Sequence, residues 1–197
     1  MKMPYDFSEI DGVVFDFGGV ISASPMGNWS LFPLCESVGI GRDAVMNGWH
    51  RYRMLWDGGV IDFREMWSRI FTDNGKTVSD EMIDRLWQAD ACQWIAVLRK
   101  DTLLLMKELK KAGKKIGLLT NMAGEFYEKL YLQRAGEYHA LTDVEVVSGI
   151  VGMAKPLRGI YDYTQRQMGV EAERLMFFDD TLINVEMARK CSWRSAL

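Results

Sequence analysis

The first apolar run of the chain, Val13-Val14-Phe15, ends directly at Asp16. Two later runs have the same form, apolar residues followed by a polar pair: Ile116-Gly117-Leu118-Leu119-Thr120-Asn121 and Leu175-Met176-Phe177-Phe178-Asp179-Asp180. Short apolar runs of this kind are typical of strands buried on both faces of a parallel sheet. A weaker fourth strand is predicted over 144–147. These segments predict a parallel sheet covered by helices.

Helical patterns lie between the predicted strands, over residues 100–112, 124–135, 156–168 and 183–191. Glycines follow the first three of these patterns, as expected at helix ends. Pro156 is predicted to occupy the first turn of the third helix. Because strands and helices alternate, the fold class is predicted to be α/β, with a Rossmann-like, doubly wound parallel sheet.

The middle of the chain has a different pattern. Amphipathic helices are predicted over 43–56, 62–71 and 79–91, with no strand pattern between them. We therefore predict an all-helical cap of residues 22–97, inserted after the first strand into an α/β core of residues 1–21 and 98–197. Six of the seven tryptophans fall in the cap. Most are expected to pack between helices, and Trp56 is the one favoured to line a substrate pocket.

Composition and charge exclude several classes of protein. The chain has 197 residues, with Lys+Arg 24 against Asp+Glu 27 and a net charge of −3. Without a basic run, neither a nucleic-acid surface nor a membrane surface is expected. Two histidines without ligand spacing argue against a zinc site, and three scattered cysteines argue against a disulfide framework. With no secretory leader in the sequence, we expect a cytoplasmic protein.

Polar residues at the predicted strand ends are the candidate functional residues. In an open α/β sheet, ligands bind outside the carboxyl ends of the strands. Asp16, Thr120-Asn121 and Asp179-Asp180 should therefore converge in one crevice, which Lys155 could reach from the loop before a helix. Clustered carboxylates suit Mg²⁺, since two adjacent acids at a buried strand end would otherwise repel each other.

Four motifs in order resemble those of the haloacid dehalogenase (HAD)-like hydrolase superfamily: Val14-Phe15-Asp16-Phe17-Gly18-Gly19-Val20, Leu118-Leu119-Thr120-Asn121, Ser148-Gly149-Ile150-Val151-Gly152-Met153-Ala154-Lys155-Pro156 and Phe178-Asp179-Asp180-Thr181-Leu182-Ile183-Asn184-Val185. The resemblance spans nearly the whole chain. It is to subfamily IA-type phosphatases with a helical C1 cap.

The resemblance implies a role for each matching residue. Asp16 would attack phosphorus and form an aspartyl-phosphate. The hydroxyl of Thr120 and the backbone N–H of Asn121 would bind phosphoryl oxygens, and Lys155 would neutralise charge on both the phosphate and the nucleophile. The metal ligands would be Asp16, the carbonyl of Gly18, and the acid pair, with Asp180 binding Mg²⁺ and Asp179 beside it or acting through water.

Gly18 departs from the family pattern, because a second aspartate usually stands at this position. That aspartate protonates the leaving group and activates water, and such a group contributes about 10²–10⁴-fold to the rate. Asp57, in the cap, is either a surrogate acid or an ordinary helix end.

Three functions remain open from the sequence. The first is a Mg²⁺-dependent phosphatase of a small phosphorylated metabolite. The second is a 2-haloacid dehalogenase-type hydrolase, which needs no acid at position 18. The third is a non-catalytic protein that keeps a phosphate and Mg²⁺ site. Both a monomer and a homodimer are compatible with the sequence.

Overall fold

The structure, a computed structural model, describes residues 6–25 and 29–197. Its centre is a five-stranded sheet in the order β3-β2-β1-β4-β5, with all neighbouring strands parallel. The strands are β1 (Gly12–Phe15), β2 (Lys115–Thr120), β3 (Val144–Val147), β4 (Leu175–Phe178) and β5 (Arg194–Ala196). The predicted α/β class and parallel sheet are confirmed.

The register of the central strands brings their carboxyl ends level. Phe15 of β1 pairs with Leu118 of β2 on one side and with Phe178 of β4 on the other. The residues that follow these three strands therefore emerge at the same edge of the sheet. All four residues of β1 and β4 are buried, which explains their continuous apolar sequence.

Along the chain, helices α1–α4 and a 3₁₀ helix follow β1 and precede β2. Their bounds are α1 (Leu31–Glu36), α2 (Arg42–Asp57), α3 (Phe63–Asp73), α4 (Asp80–Ala89) and the 3₁₀ turn Ala91–Ile95. Helix α3 begins as predicted, since the Asp62 side chain accepts a hydrogen bond from the Glu65 N–H at 2.7 Å. These helices occupy the described part of the range for which the sequence predicts a helical cap.

The remaining helices follow β1 and the cap along the chain. They are α5 (Lys100–Lys111), α6 (Gly124–Phe126), a π-helical turn (Tyr127–Tyr131), α7 (Leu132–Arg134), α8 (Gly136–His139), α9 (Ser148–Val151), α10 (Arg158–Met168), the 3₁₀ turn Ala172–Arg174 and α11 (Leu182–Lys190). Among the described residues, no helix combines the length and apolar character that a membrane span requires.

The boundaries of the two predicted domains stay a prediction. In the described part of the range 22–97, the only β-type pairings are two isolated bridges, which join Ser22 to Gly18 and to Leu98. The two ends of the helical segment are thus adjacent in space. Parts of both predicted domains, residues 1–5 and 26–28, lie outside the described residues.

Several local predictions need correction. Pro156 does not lie in a helix, because α10 begins at Arg158. The backbone of Lys155 instead exchanges two hydrogen bonds with the Asn121 side chain, which holds this segment against the sheet. Helices α1, α8 and α9 and strand β5 were not predicted. Segments of three to six residues are too short to show a hydrophobic periodicity.

Candidate active site

A cavity of about 320 Å³ lies at the carboxyl ends of β1, β2 and β4. Its lining includes all but one of the predicted site residues: Asp16, Gly18, Thr120, Asn121, Lys155 and Asp180. The exception, Asp179, lies directly behind them and is fully buried. The sheet register thus brings together residues that are more than 160 positions apart in the sequence.

Lys155 is the centre of a buried ion network. Its Nζ lies 2.8 Å from Oδ1 of Asp16 and 2.6 Å from Oδ2 of Asp179, and 1% of its side chain is exposed. One ammonium group is thus shared by two carboxylates, and the three groups together carry one uncompensated negative charge when both acids are ionised.

Both carboxylate oxygens of Asp179 accept hydrogen bonds from protein donors. Besides Lys155, it accepts hydrogen bonds from the Asn184 side chain at 3.0 and 3.1 Å and from the Thr181 N–H at 2.8 Å. Its role is consequently to fix Lys155 and the start of α11. Asp180 has fewer partners in the described part of the chain, where the Thr181 hydroxyl donates to its Oδ1 at 3.2 Å.

The three acids form a group that could hold a metal ion. Asp16, Asp179 and Asp180 each offer one carboxylate oxygen within 4.8 Å of the others. Gly19 makes this approach possible, since a Cβ there would lie 2.0 Å from the Asp180 carboxylate and the residue has φ +74°. Hard oxygen ligands clustered in this way fit Mg²⁺.

Burial changes the ionisation of the site. It raises the pKa of Asp16 to about 6, with Lys155 opposing the rise and Asp179 adding to it. It likewise raises the pKa of Asp180, again with help from Asp179. Burial disfavours the charged form of Lys155, but the charges of Asp16 and Asp179 outweigh it and raise the pKa of Lys155.

Thr120 and Asn121 complete the floor of the cavity. Thr120 is buried at the last position of β2. The Asn121 side chain is committed to the Lys155 backbone, accepting from its N–H at 2.8 Å and donating to its carbonyl at 2.9 Å. Asn121 therefore positions Lys155 through its side chain.

The helical segment forms the opposite wall with Trp49, Arg53, Asp57 and Trp94. The Arg53 guanidinium lies 4.8 Å from the Trp49 ring centroid and 5.5 Å from that of Trp94. Its Nε donates to Oδ1 of Asp57 at 2.8 Å. This wall thus presents an ion pair framed by two indole rings.

The sequence interpretation missed Trp49, Arg53 and Trp94 and chose the wrong tryptophan. Trp56 is 1% exposed, and its indole N–H donates to Oε1 of Glu125 at 2.6 Å, which ties α2 to α6. A usable signal was present, because Trp49, Arg53 and Asp57 recur every four residues and so share one face of α2.

Asp90 is a second buried acid, behind Arg53. It is fully buried, and the nearest Arg53 nitrogen lies 3.8 Å away, too far for a hydrogen bond. Burial raises the pKa of Asp90 to about 6, with Arg53 opposing the rise and Asp57 adding to it.

This shift predicts a pH-dependent effect of Asp90→Asn. A folded-state pKa above the unfolded value means that the folded protein binds the proton more tightly, so the stability from Asp90 is present at acid pH and is lost as pH rises from about 4 to about 6. Asparagine does not titrate. The melting temperature of Asp90→Asn relative to wild type should thus rise by roughly 4–8 °C between pH 4 and pH 7, for an effect on the order of 2 kcal/mol.

Thermal melts at both pH values test this, with the exposed Asp43→Asn as the control for an Asp-to-Asn change in general. A difference between Asp90→Asn and wild type that stays constant or shrinks with rising pH would contradict it.

The chain is similar to known proteins both in sequence and in fold. Residues 10–191 match the haloacid dehalogenase-like hydrolase family. The structure is similar to the HAD family enzyme BT-2542 of Bacteroides thetaiotaomicron in complex with magnesium and inorganic phosphate, with TM-score 0.71, 19% identity, and 95% of this chain and 93% of that chain covered. It is also similar to L-2-haloacid dehalogenase from Xanthobacter autotrophicus with covalently bound chloropropionic acid, with TM-score 0.65, 20% identity, and 94% and 76% covered. At these identities both likenesses concern the fold.

A sequence relative is "Phosphatase MT3486" of Mycobacterium tuberculosis (strain CDC 1551 / Oshkosh), 35% identical over 92 residues. The match covers 47% of this chain and 42% of that phosphatase, so the chain spans less than half the length of this relative. The family match, in contrast, covers nearly the whole chain and includes every strand up to β4 and all the residues gathered at the cavity. This chain belongs to the haloacid dehalogenase-like hydrolases.

Proposed function

We propose that the protein is a Mg²⁺-dependent cytoplasmic phosphatase of a small phosphorylated metabolite, acting through an aspartyl-phosphate on Asp16. This proposal rests on one observation. Three clustered acids that could hold a cation lie beside a buried lysine at the same cavity. A phosphate monoester brings negative charge, and phosphoryl transfer depends on positioning and on neutralising that charge.

The proposal assigns a role to each residue of the cavity floor. Asp16 is the nucleophile, and its Lys155 contact at 2.8 Å keeps the carboxylate ionised and oriented. Thr120, through its hydroxyl, and Asn121, through its backbone N–H, bind phosphoryl oxygens together with Lys155. The Asn121 side chain does not bind phosphoryl oxygens in this assignment, because it is hydrogen-bonded to the Lys155 backbone.

Asp16, Asp180 and the carbonyl of Gly18 would hold Mg²⁺, with Asp179 behind them. The extensive hydrogen bonding of Asp179 favours a role through water or through Lys155. When bound, Mg²⁺ would supply neutralisation of phosphoryl charge and orientation of the substrate. BT-2542, which shares the fold, is known with magnesium and inorganic phosphate, and the Mycobacterium relative is a phosphatase, which supports this assignment.

A second candidate function is hydrolysis of 2-haloacids by the same aspartate. Gly18 favours it, because displacement of a halide needs no proton donor at that position. The fold likeness to a haloacid dehalogenase is compatible with it. Asp180 favours the phosphatase, because an exposed acid beside Asp179 has no evident use in halide displacement.

Two assays on the purified protein separate these functions. We expect p-nitrophenyl phosphate to be hydrolysed with added Mg²⁺ and not with EDTA, and no halide to be released from 2-chloropropionate. Halide release without ester hydrolysis would establish the dehalogenase instead. Binding of phosphate and Mg²⁺ without turnover of either substrate would establish a non-catalytic protein.

Asp180→Ala should remove both Mg²⁺ binding and phosphatase activity, since it deletes the ligand that is least engaged by protein donors. We expect calorimetric Mg²⁺ affinity to fall at least roughly tenfold, because a single lost charged ligand or hydrogen bond of this kind is worth about 1.5–3 kcal/mol. Asp84→Ala, at an exposed position of α4, is the matched control. Unaltered Mg²⁺ affinity in Asp180→Ala would move the metal site elsewhere.

A further inference from the structure

The proposed phosphatase reaction needs a proton donor that Gly18 cannot supply. A leaving alkoxide or phenoxide must be protonated as its bond to phosphorus breaks, and water must later lose a proton. Trp94 fills the space beside Gly18, since a Cβ at this glycine would lie 3.3 Å from its ring. A proton donor must therefore come from another residue that lines the cavity.

Asp57, the last residue of α2, is a carboxylic acid on the opposite wall of the same cavity. Arg53 occupies its Oδ1 at 2.8 Å. Its side chain is 8% exposed, and no protein donor to Oδ2 is found among the described residues. Asp57 and Asp16 line the same cavity.

The backbone of Asp57 is fixed to the sheet rather than to the cap alone. The Ser148 hydroxyl, directly after β3, donates to the Asp57 carbonyl at 2.5 Å. Two residues further on, Gly59 has φ +72° and lies so close to Gly149 that a Cβ would be 2.7 Å from its carbonyl oxygen. Both contacts hold the C-terminal end of α2 against the segment that directly follows β3.

The charges around Asp57 favour a group that can hold a proton. Burial raises its pKa, while Arg53 on the same helix and, more weakly, Lys155 across the cavity oppose the rise. Asp90, at the end of α4, faces the same arginine and interacts unfavourably with Asp57 when both are ionised. An acid with these neighbours can carry a proton and release it.

We infer that Asp57 is the general acid and base of this enzyme, in place of the missing side chain at position 18. The inference rests on the proposed phosphatase function. In the first step an Asp16 oxygen forms a bond to phosphorus, the ester P–O bond breaks, and the Asp57 proton passes to the leaving oxygen, giving the alcohol. In the second step Asp57 takes a proton from water as the water oxygen bonds to phosphorus, and the Asp16–phosphorus bond breaks. Inorganic phosphate leaves, and Asp57 is again protonated.

The test is the leaving-group dependence of Asp57→Asn. Because kcat also contains the second step, which is common to both esters, the comparison uses kcat/KM, which reports the first step. In Asp57→Asn the kcat/KM for phenyl phosphate should fall about 10²-fold or more, because phenoxide needs protonation. The fall for p-nitrophenyl phosphate should be much smaller, because nitrophenoxide is a far better leaving group. The wild-type rate on phenyl phosphate should decline at high pH as Asp57 loses its proton, and this decline should be absent in Asp57→Asn. Asp43→Asn, in the first turn of the same helix, should behave as wild type.

Other outcomes overturn the inference. Equal losses of kcat/KM on the two esters would make Asp57 a substrate-binding residue, and unchanged kinetics would leave it without a role. If Asp57→Asn does not fold, Asp57→Ala should regain phenyl phosphate hydrolysis on addition of formate, and absence of rescue in a folded variant overturns the inference. Wild-type protein inactive on both esters would instead refute the phosphatase function itself.

Discussion

Asp16→Asn should abolish phosphatase activity while the protein stays folded. The amide is isosteric with the carboxylate, so the contacts to the Phe17 N–H and to Lys155 remain geometrically possible. An amide oxygen, however, is a poor nucleophile and a weaker ligand for a cation. Loss of a nucleophile that forms a covalent intermediate typically lowers kcat by several orders of magnitude, so we expect at least about a 10³-fold loss.

The measurement is turnover of p-nitrophenyl phosphate with Mg²⁺, together with a thermal melt. A second measurement targets the intermediate: wild type quenched in acid during turnover of a ³²P-labelled ester should retain label, and Asp16→Asn should not. Asp11→Asn, at an exposed position just before β1, is the matched control. If Asp16→Asn kept a tenth of wild-type activity at an unchanged melting temperature, the covalent mechanism would be wrong.

Lys155→Met should produce the largest loss of stability, together with loss of activity. Methionine has a similar length, but it leaves Asp16 and Asp179 facing each other without the intervening cation. Breaking a buried ion pair by removing one partner costs about 3–5 kcal/mol. For a chain of this size that corresponds to a fall in melting temperature of roughly 6–20 °C.

The pH dependence of this loss distinguishes electrostatics from packing. Without Lys155 the pKa of Asp16 should rise further, because burial and Asp179 then act unopposed by the nearest cation. The variant should therefore be most destabilised at neutral and alkaline pH and should recover towards pH 5 as Asp16 takes up a proton. Urea unfolding at the two pH values measures this. Lys107→Met, at an exposed position, should change stability by no more than about 0.5 kcal/mol. A loss for Lys155→Met that is independent of pH would indicate a packing defect instead.

The sequence alone determined the sheet and the cavity floor. The apolar runs before Asp16, Thr120 and Asp179 indicate that each strand is buried on both faces, and this indication needs only the local sequence. Because parallel strands share an edge, the residues after them must meet, and no knowledge of side-chain packing was needed to predict that. The same local logic explains why the start of α3 at Asp62 was predictable from a single capping pair.

Only the tertiary structure decided the other wall of the cavity and the degree of burial. The helical periodicity of the sequence indicates that one face of α2 is buried, but it does not indicate which element packs against that face. Packing of α2 against its neighbours, and its anchorage to Glu125 and Ser148, turned Trp56 inward and left Trp49, Arg53 and Asp57 at the cavity. The full burial of Lys155 was equally invisible in the sequence, because it depends on two carboxylates that reach it from different strands. Contacts between distant segments are set by how the elements dock, and a local pattern carries no record of that docking.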